Sequence, residues 1–192
     1  PFLHAELGRH AEAADQLRTF SQYVLHALHL PQVQLDELYA VLCALKDGTV
    51  SEAEAIDRLA RSPHWVWVAM APESKLLLTG DGGERTLARA QRVVQQVAQM
   101  LAPGCVPLFL TDGFKEYLTA LLTHFGHWLA PGPRQTKPRW LPLPGLLYAQ
   151  VMKTMRRRRL IEVNPRVGFG TQAAVERVLS VCRGQINTSV VE

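Results

Sequence analysis

The order of elements in the sequence predicts a mixed α/β fold: a sheet of parallel and antiparallel strands flanked by helices. Three observations carry that expectation. The runs "WVWVAMA" (residues 65–71) and "KLLLTG" (75–80) are joined by a short Pro-Glu-Ser link, which reads as a β-hairpin. Leu87, Ala90, Val93, Val94, Val97, Ala98 and Leu101 then keep helical spacing until "APG" stops them. A buried strand, "CVPLFL" (105–110), follows and ends abruptly in Thr-Asp-Gly. Three strands in a meander, then a helical crossover to a fourth, make a mixed sheet.

Along the chain, residues 5–29 predict a helix, with Leu17, Phe20, Val24 and Leu28 on one face. Pro31 ends it. "VQLDELYAVL" (33–42) is short and rich in Val and Leu, so it reads as a buried strand, the first of the meander. A turn and a short helical insert occupy 47–63, opened by Ser51 and Glu54 in capping-box spacing. "DGGE" closes the hairpin that follows. Beyond Gly113, Phe114, Tyr117, Leu118, Leu121, Leu122 and Phe125 form the apolar side of another helix. The texture then changes. "APGPRQTKPRWLPLP" (130–144) has five prolines and no period, so it is expected to be a loop or extended arm. "GLLYAQVMKTMRRRR" (145–159) predicts a helix, "LIEV" (160–163) a short strand, and "TQAAVERVLSVC" (171–182) a last helix.

The 192 residues suit one domain with a real core, because 47% are apolar. No apolar run approaches the ~18 residues a membrane span needs, and no secretory signal pattern is present. Cys43, Cys105 and Cys182 are odd in number and far apart, which argues for reduced core thiols and a cytosolic compartment. Both ends read as cut, so the chain is expected to be a fragment of something longer. Charge is uneven: residues 131–192 hold 11 Lys+Arg against 3 Asp+Glu, whereas 1–130 hold 10 against 14. A basic final third points to a polyanion as partner. Lys153 and Arg156, Arg157, Arg158 and Arg159 concentrate that charge.

Within this frame the acids stand out. Asp36 and Glu37 lie side by side in the first strand, so at least one faces packed protein, where an unpaired carboxylate costs several kcal/mol. Asp112 follows the fourth strand, and ligands collect at strand ends in open α/β sheets. If the first and fourth strands are neighbours, Asp36 and Asp112 meet across 76 positions of sequence. Two carboxylates in one pocket repel unless a cation lies between them, and a hard ion such as Mg²⁺ suits oxygen ligands. Simpler roles stay open. Asp112 suits a helix N-cap, Asp36 or Glu37 could pair with Arg85, Asp81 sits in a turn sequence, and Glu192 has capping-box spacing with Ser189. His124 and His127 could share one side of a helix end, but no third ligand lies near them for zinc. No Walker loop, dinucleotide fingerprint or serine-hydrolase elbow is present.

"VQLDELYAVL", "WVWVAM…SKLLLTGDGGERTL", "CVPLFLTDGFKEYLTALLTHFGHW", "LYAQVMKTMRRRR" and "VGFGTQ…INTSVVE" are collinear blocks over nearly all of the chain. Together they resemble the DDE transposases of small bacterial insertion sequences. "RHAEAADQLRTFSQYVLHALHL" (9–30) resembles the linker after that family's DNA-reading helix-turn-helix. The resemblance implies a helical linker over 1–30, a ribonuclease-H-like core over 31–130, a basic insertion over 131–185, and the start of a final catalytic helix at 186–192. It also implies three acids, Asp36, Asp112 and Glu192, holding two divalent ions, Mg²⁺ or Mn²⁺. The implied chemistry is in-line phosphoryl transfer: hydrolysis at a transposon end exposes a 3′-hydroxyl, which then attacks target DNA. Glu37, on the other strand face, would pair or orient the site. Lys153, Arg156 to Arg159 and Trp140 would track DNA phosphates. The 80 positions from Asp112 to Glu192 require the insertion. A homodimer or higher oligomer on DNA, in the bacterial cytoplasm at the nucleoid, is expected, with no membrane partner. Two other readings share the fold: a transposase-derived DNA-binding relic without catalysis, and a metal-dependent nuclease.

Overall fold

A computed structural model of the chain describes residues 19–21, 23–39, 51, 53–54, 65–131, 137–156 and 159–182. Its main sheet has six strands. They are β1 (Gln32–Tyr39), β2 (Trp65–Ala71), β3 (Leu76–Gly83), β4 (Leu108–Thr111), β7 (Leu147–Arg156) and β8 (Arg159–Phe169), in the spatial order β3-β2-β1-β4-β7-β8. β1, β4 and β7 are mutually parallel, and β2 and β8 run against their neighbours. A separate two-stranded hairpin pairs β5 (Gly126–Leu129) with β6 (Arg139–Pro142). The helices are α1 (Leu87–Met100), α2 (Glu116–His124) and α3 (Gln172–Val181). The architecture is therefore a mixed sheet flanked by helices.

Side-chain alternation decides what each sheet face buries. Val33, Leu35, Trp67, Ala69, Phe109 and Tyr148 form one continuous core with Ala90, Val93, Val94 and Val97 of α1 and Tyr117, Ala120 and Leu121 of α2. At ~25 cal/mol per Å² of apolar area, this face supplies most of the hydrophobic stabilisation. A smaller cluster, Leu108, Leu110 and Ala149 against Val175 and Leu179 of α3, covers the opposite face. α1 and α3 both begin on a threonine cap: Thr86 accepts the Arg89 N–H and Thr171 the Ala174 N–H. The Ser51 hydroxyl likewise accepts the Glu54 N–H at 3.3 Å, the bond expected of that box.

The meander, the crossover helix and the fourth strand stand where the sequence places them. β3 is longer than expected, because "DGG" continues the strand instead of closing a turn, and Asp81 sits opposite Trp67. Asp81 is held by Arg89 at 3.1 Å and Arg92 at 3.2 Å, not by a turn. The larger correction concerns 145–159, expected to be a helix: residues 147–156 are β7. Leu, Ala, Gln, Met and Arg favour helices locally, but a parallel ladder with β4 buries Tyr148, Ala149 and Val151 on both faces, and tertiary pairing overrides propensity. "LIEV" is only part of the eleven-residue β8. β7 and β8 thus add two strands to the main sheet from within the segment expected as an insertion. The proline-rich stretch holds β6, whose Pro142 sits at the strand's end, where a missing N–H is tolerated. Of the first predicted helix, residues 19–21 and 23–24 are helical with Phe20 and Val24 exposed, whereas Leu28, expected on the same face, lies in a bridge to Leu101 and packs against the core. Cys105 and Cys182 are free thiols, each half-buried. Cys43 lies outside the described residues.

Candidate functional site

β1 is longer than β4, and this difference in length builds the site. The parallel register ends at Leu35 opposite Thr111, so Asp36 and Glu37 project beyond β4's carboxyl end. Asp112, the next residue after Thr111, arrives beside them. One carboxylate oxygen from each of Asp36, Glu37 and Asp112 lies within 4.8 Å of the others, and among the described residues no other acid, His or Cys trio gathers so closely. Asp36 and Asp112 do meet, through the neighbouring strands the sequence implied. Asp36 lies on the strand face of Gln32, opposite to Val33, Leu35 and Glu37.

The turn carrying Asp112 is fixed from several sides. The Phe114 N–H donates to Asp112 Oδ1 at 3.0 Å, an Asx turn and not the helix N-cap the sequence allowed. The N-cap of α2 is Lys115, which makes no side-chain cap bond. The Thr111 hydroxyl donates to the Asp112 carbonyl at 2.8 Å and lies 3.0 Å from the Tyr148 hydroxyl. Gln150 Nε2 donates to the Phe114 carbonyl at 3.3 Å. Asp36 Oδ1 accepts the Glu37 N–H at 2.9 Å.

Asp36 and Glu37 are both buried, the Glu37 side chain fully enclosed, whereas the Asp112 side chain stays about a third exposed. Arg85, between β3 and α1, donates to Glu37 Oε1 from Nε at 2.8 Å and from Nη2. The pairing with Arg85 that the sequence left open therefore falls to Glu37. Arg85 Nη2 also stands 3.6 Å from Asp112 Oδ2, a charge contact too long for a hydrogen bond. The guanidinium carbon lies 4.4 Å from the Phe114 ring centre and 4.8 Å from that of Trp65. Trp67, Phe114 and Tyr117 pack edge to face beside it, with centroids 5.7 to 5.9 Å apart.

Burial, and next the charge of Asp112, push the Glu37 carboxyl up from 4.5 to about 7. Arg85 opposes the shift, and the Tyr117 hydroxyl adds weak support for the charged form from outside full hydrogen-bond geometry. Glu37 Oε2 is buried with no hydrogen-bond partner. Leaving such an oxygen unmet is costly, and a cation among the three acids would meet it. The donor set is all hard oxygen, which fits a divalent ion of the Mg²⁺ or Mn²⁺ kind and not a thiolate- or imidazole-bound metal.

Other expected site residues lie apart from this cluster or outside the described residues. Lys153, Arg156 and Arg159 belong to the far end of the β7–β8 hairpin, where Arg156 pairs with Arg159. Arg157, Arg158 and Glu192 lie outside the described residues. Trp140 is on β6, 37% exposed and stacked edge to face on Trp128, and its indole N–H donates to the Leu122 carbonyl at 2.8 Å. His124 ends α2 and His127 lies on β5, and burial lowers the His124 pKa. Glu37 as a third converging acid was missed because strand alternation puts it on the face opposite Asp36. The aromatic clamp of Trp65 and Phe114 on Arg85 has no periodic signal. Comparisons with protein-family models, curated proteins and solved structures give no match.

Proposed function

We propose that this chain is the catalytic core of a DDE-type DNA transposase, with a ribonuclease-H-like fold that cuts and joins DNA by metal-dependent phosphoryl transfer. The observation that carries the reading is the meeting of Asp36 and Asp112 at the carboxyl ends of two adjacent parallel strands. The strand order β3-β2-β1-β4-β7, with only β2 reversed among these five, supports the ribonuclease-H-like assignment. Asp36 and Asp112 would hold the ions, Mg²⁺ or Mn²⁺, with Glu192 as third acid. Bound there, the ions supply charge neutralisation at the attacking and leaving oxygens of a phosphodiester. Asp36 and Asp112 fix where that phosphodiester must lie, and the Asx turn and Tyr148–Thr111 contact keep Asp112 from drifting. Lys153, Arg156 to Arg159 and Trp140 would hold the DNA backbone and supply affinity, not sequence reading. A homodimer on DNA and a cytoplasmic, nucleoid-associated location belong to the same reading.

The test is ion-dependent nicking of supercoiled plasmid, in Mg²⁺ and in Mn²⁺, by the chain and by its Asp36→Asn and Asp112→Asn variants. Each variant is expected to slow nicking by about 10²-fold or more. Nicking indifferent to both substitutions contradicts the proposal. DNA retention with no ion-dependent cutting would favour the non-catalytic relic, and cutting that never joins strands would favour the nuclease.

A further inference from the structure

Arg85 has more structure around it than a counter-ion needs. Nε and Nη2 both engage a single oxygen of Glu37, so one edge of the guanidinium is tied down. Its plane is flanked by the rings of Phe114 and Trp65, 4.4 and 4.8 Å away, which fixes the rotamer. Nη1 has no hydrogen-bond partner among the described residues, and the side chain remains 35% exposed. Nη2 reaches toward Asp112 Oδ2 without bonding it, at 3.6 Å. A preset, partly exposed planar donor thus stands at the rim of the acidic cluster.

We infer that Arg85 is the phosphate-holding residue of the pocket, its outer edge taking a non-bridging oxygen of a DNA phosphodiester when a divalent ion occupies the carboxylates. The inference rests on the functional reading above and deepens it. Charge is compatible with it: each divalent ion bound would add two positive charges where Asp36, Glu37 and Asp112 converge beside Arg85, which would let a phosphodiester approach. With Asp112 holding an ion, the Arg85 Nη edge that now faces Asp112 Oδ2 at 3.6 Å would be free to take a phosphate oxygen. The fork of a guanidinium matches two phosphate oxygens, which an ammonium cannot reproduce.

The experiment measures binding of a short DNA duplex by fluorescence anisotropy, in Ca²⁺ and in EDTA, for the chain and its Arg85→Gln and Arg85→Lys variants. Calorimetric Mg²⁺ titration without DNA accompanies it. The expected result is that R85Q binds Mg²⁺ as tightly as the parent or tighter and keeps its affinity in EDTA. It should lose roughly tenfold of the Ca²⁺-dependent gain in DNA affinity. R85K keeps a charge beside Glu37 and guards against misfolding of R85Q; it should restore only part of the gain. An undiminished gain in R85Q, or in R85K should R85Q fail to fold, overturns the inference and leaves the functional reading intact. Loss of Mg²⁺ affinity in R85Q also overturns it, because Arg85 would then only build the ion site. A parent chain that binds neither ion nor DNA overturns the functional reading, and this inference with it.

Discussion

Glu37→Gln tests the electrostatics of the site in isolation. The Glu37 carboxyl titrates at about 7 in the folded chain against an ordinary 4.5, because burial and Asp112 together outweigh Arg85. A raised folded pKa means the folded state holds the proton more tightly than the unfolded chain does. That contribution to stability is complete below about 4.5 and is lost as pH rises through about 7. At 1.36 kcal/mol per unit, the loss amounts to about 3 kcal/mol. For a chain of this size that corresponds to roughly 6 to 12 °C in Tm. Glutamine is neutral at every pH and nearly the same shape, so E37Q removes this slope. Thermal melts in EDTA from pH 5 to pH 8 should therefore bring parent and variant together near pH 5. At pH 8 the variant should melt higher, by up to that amount. Comparing the two proteins cancels the titration of all other groups. A variant that keeps the parent's full pH slope would refute the reasoning, since the buried proton would then sit elsewhere.

Three other outcomes follow from the same geometry. Asp112→Asn keeps an oxygen for the Phe114 N–H, whereas Asp112→Ala loses that bond; the alanine variant should unfold about 1 kcal/mol more easily in urea than the asparagine variant, though neither should bind Mg²⁺ like the parent. A Cβ at Gly126 would meet Trp140 Nε1 at 2.3 Å and the Leu122 carbonyl at 2.4 Å; Gly126→Ala should cost about 1 to 3 kcal/mol and shift tryptophan fluorescence as the hairpin lifts from α2. Replacing Arg156 to Arg159 by glutamine should weaken DNA binding across all sequences alike and lower the slope of log affinity against log salt by about 1 for each phosphate no longer neutralised.

The site was legible where it depended on strand order. A hairpin followed by a crossover forces β1 and β4 together, and Asp36 and Asp112 follow without any knowledge of side chains. It was illegible where two elements differ in length. Glu37 joins Asp36 only because β1 outruns β4, so acids on opposite faces of β1 both reach past the strand end toward Asp112. β7 was hidden for another reason: a strand covered on both faces shows no period of two, and its residues favour helices one at a time. The β5–β6 hairpin was masked by the prolines of 130–144, which give that stretch no period. Arg85 lies between a strand and a helix cap, where no periodicity marks what a side chain will touch.

The most direct measurement is a calorimetric titration of Mg²⁺, repeated with Mn²⁺, into the chain and into its Asp36→Asn/Asp112→Asn double variant in the presence of DNA. Saturable binding is predicted for the parent, with protons released below about pH 7 as Glu37 ionises, and none for the variant. Equal binding by both proteins, or none by the parent with DNA present, would contradict a metal pocket built on Asp36 and Asp112.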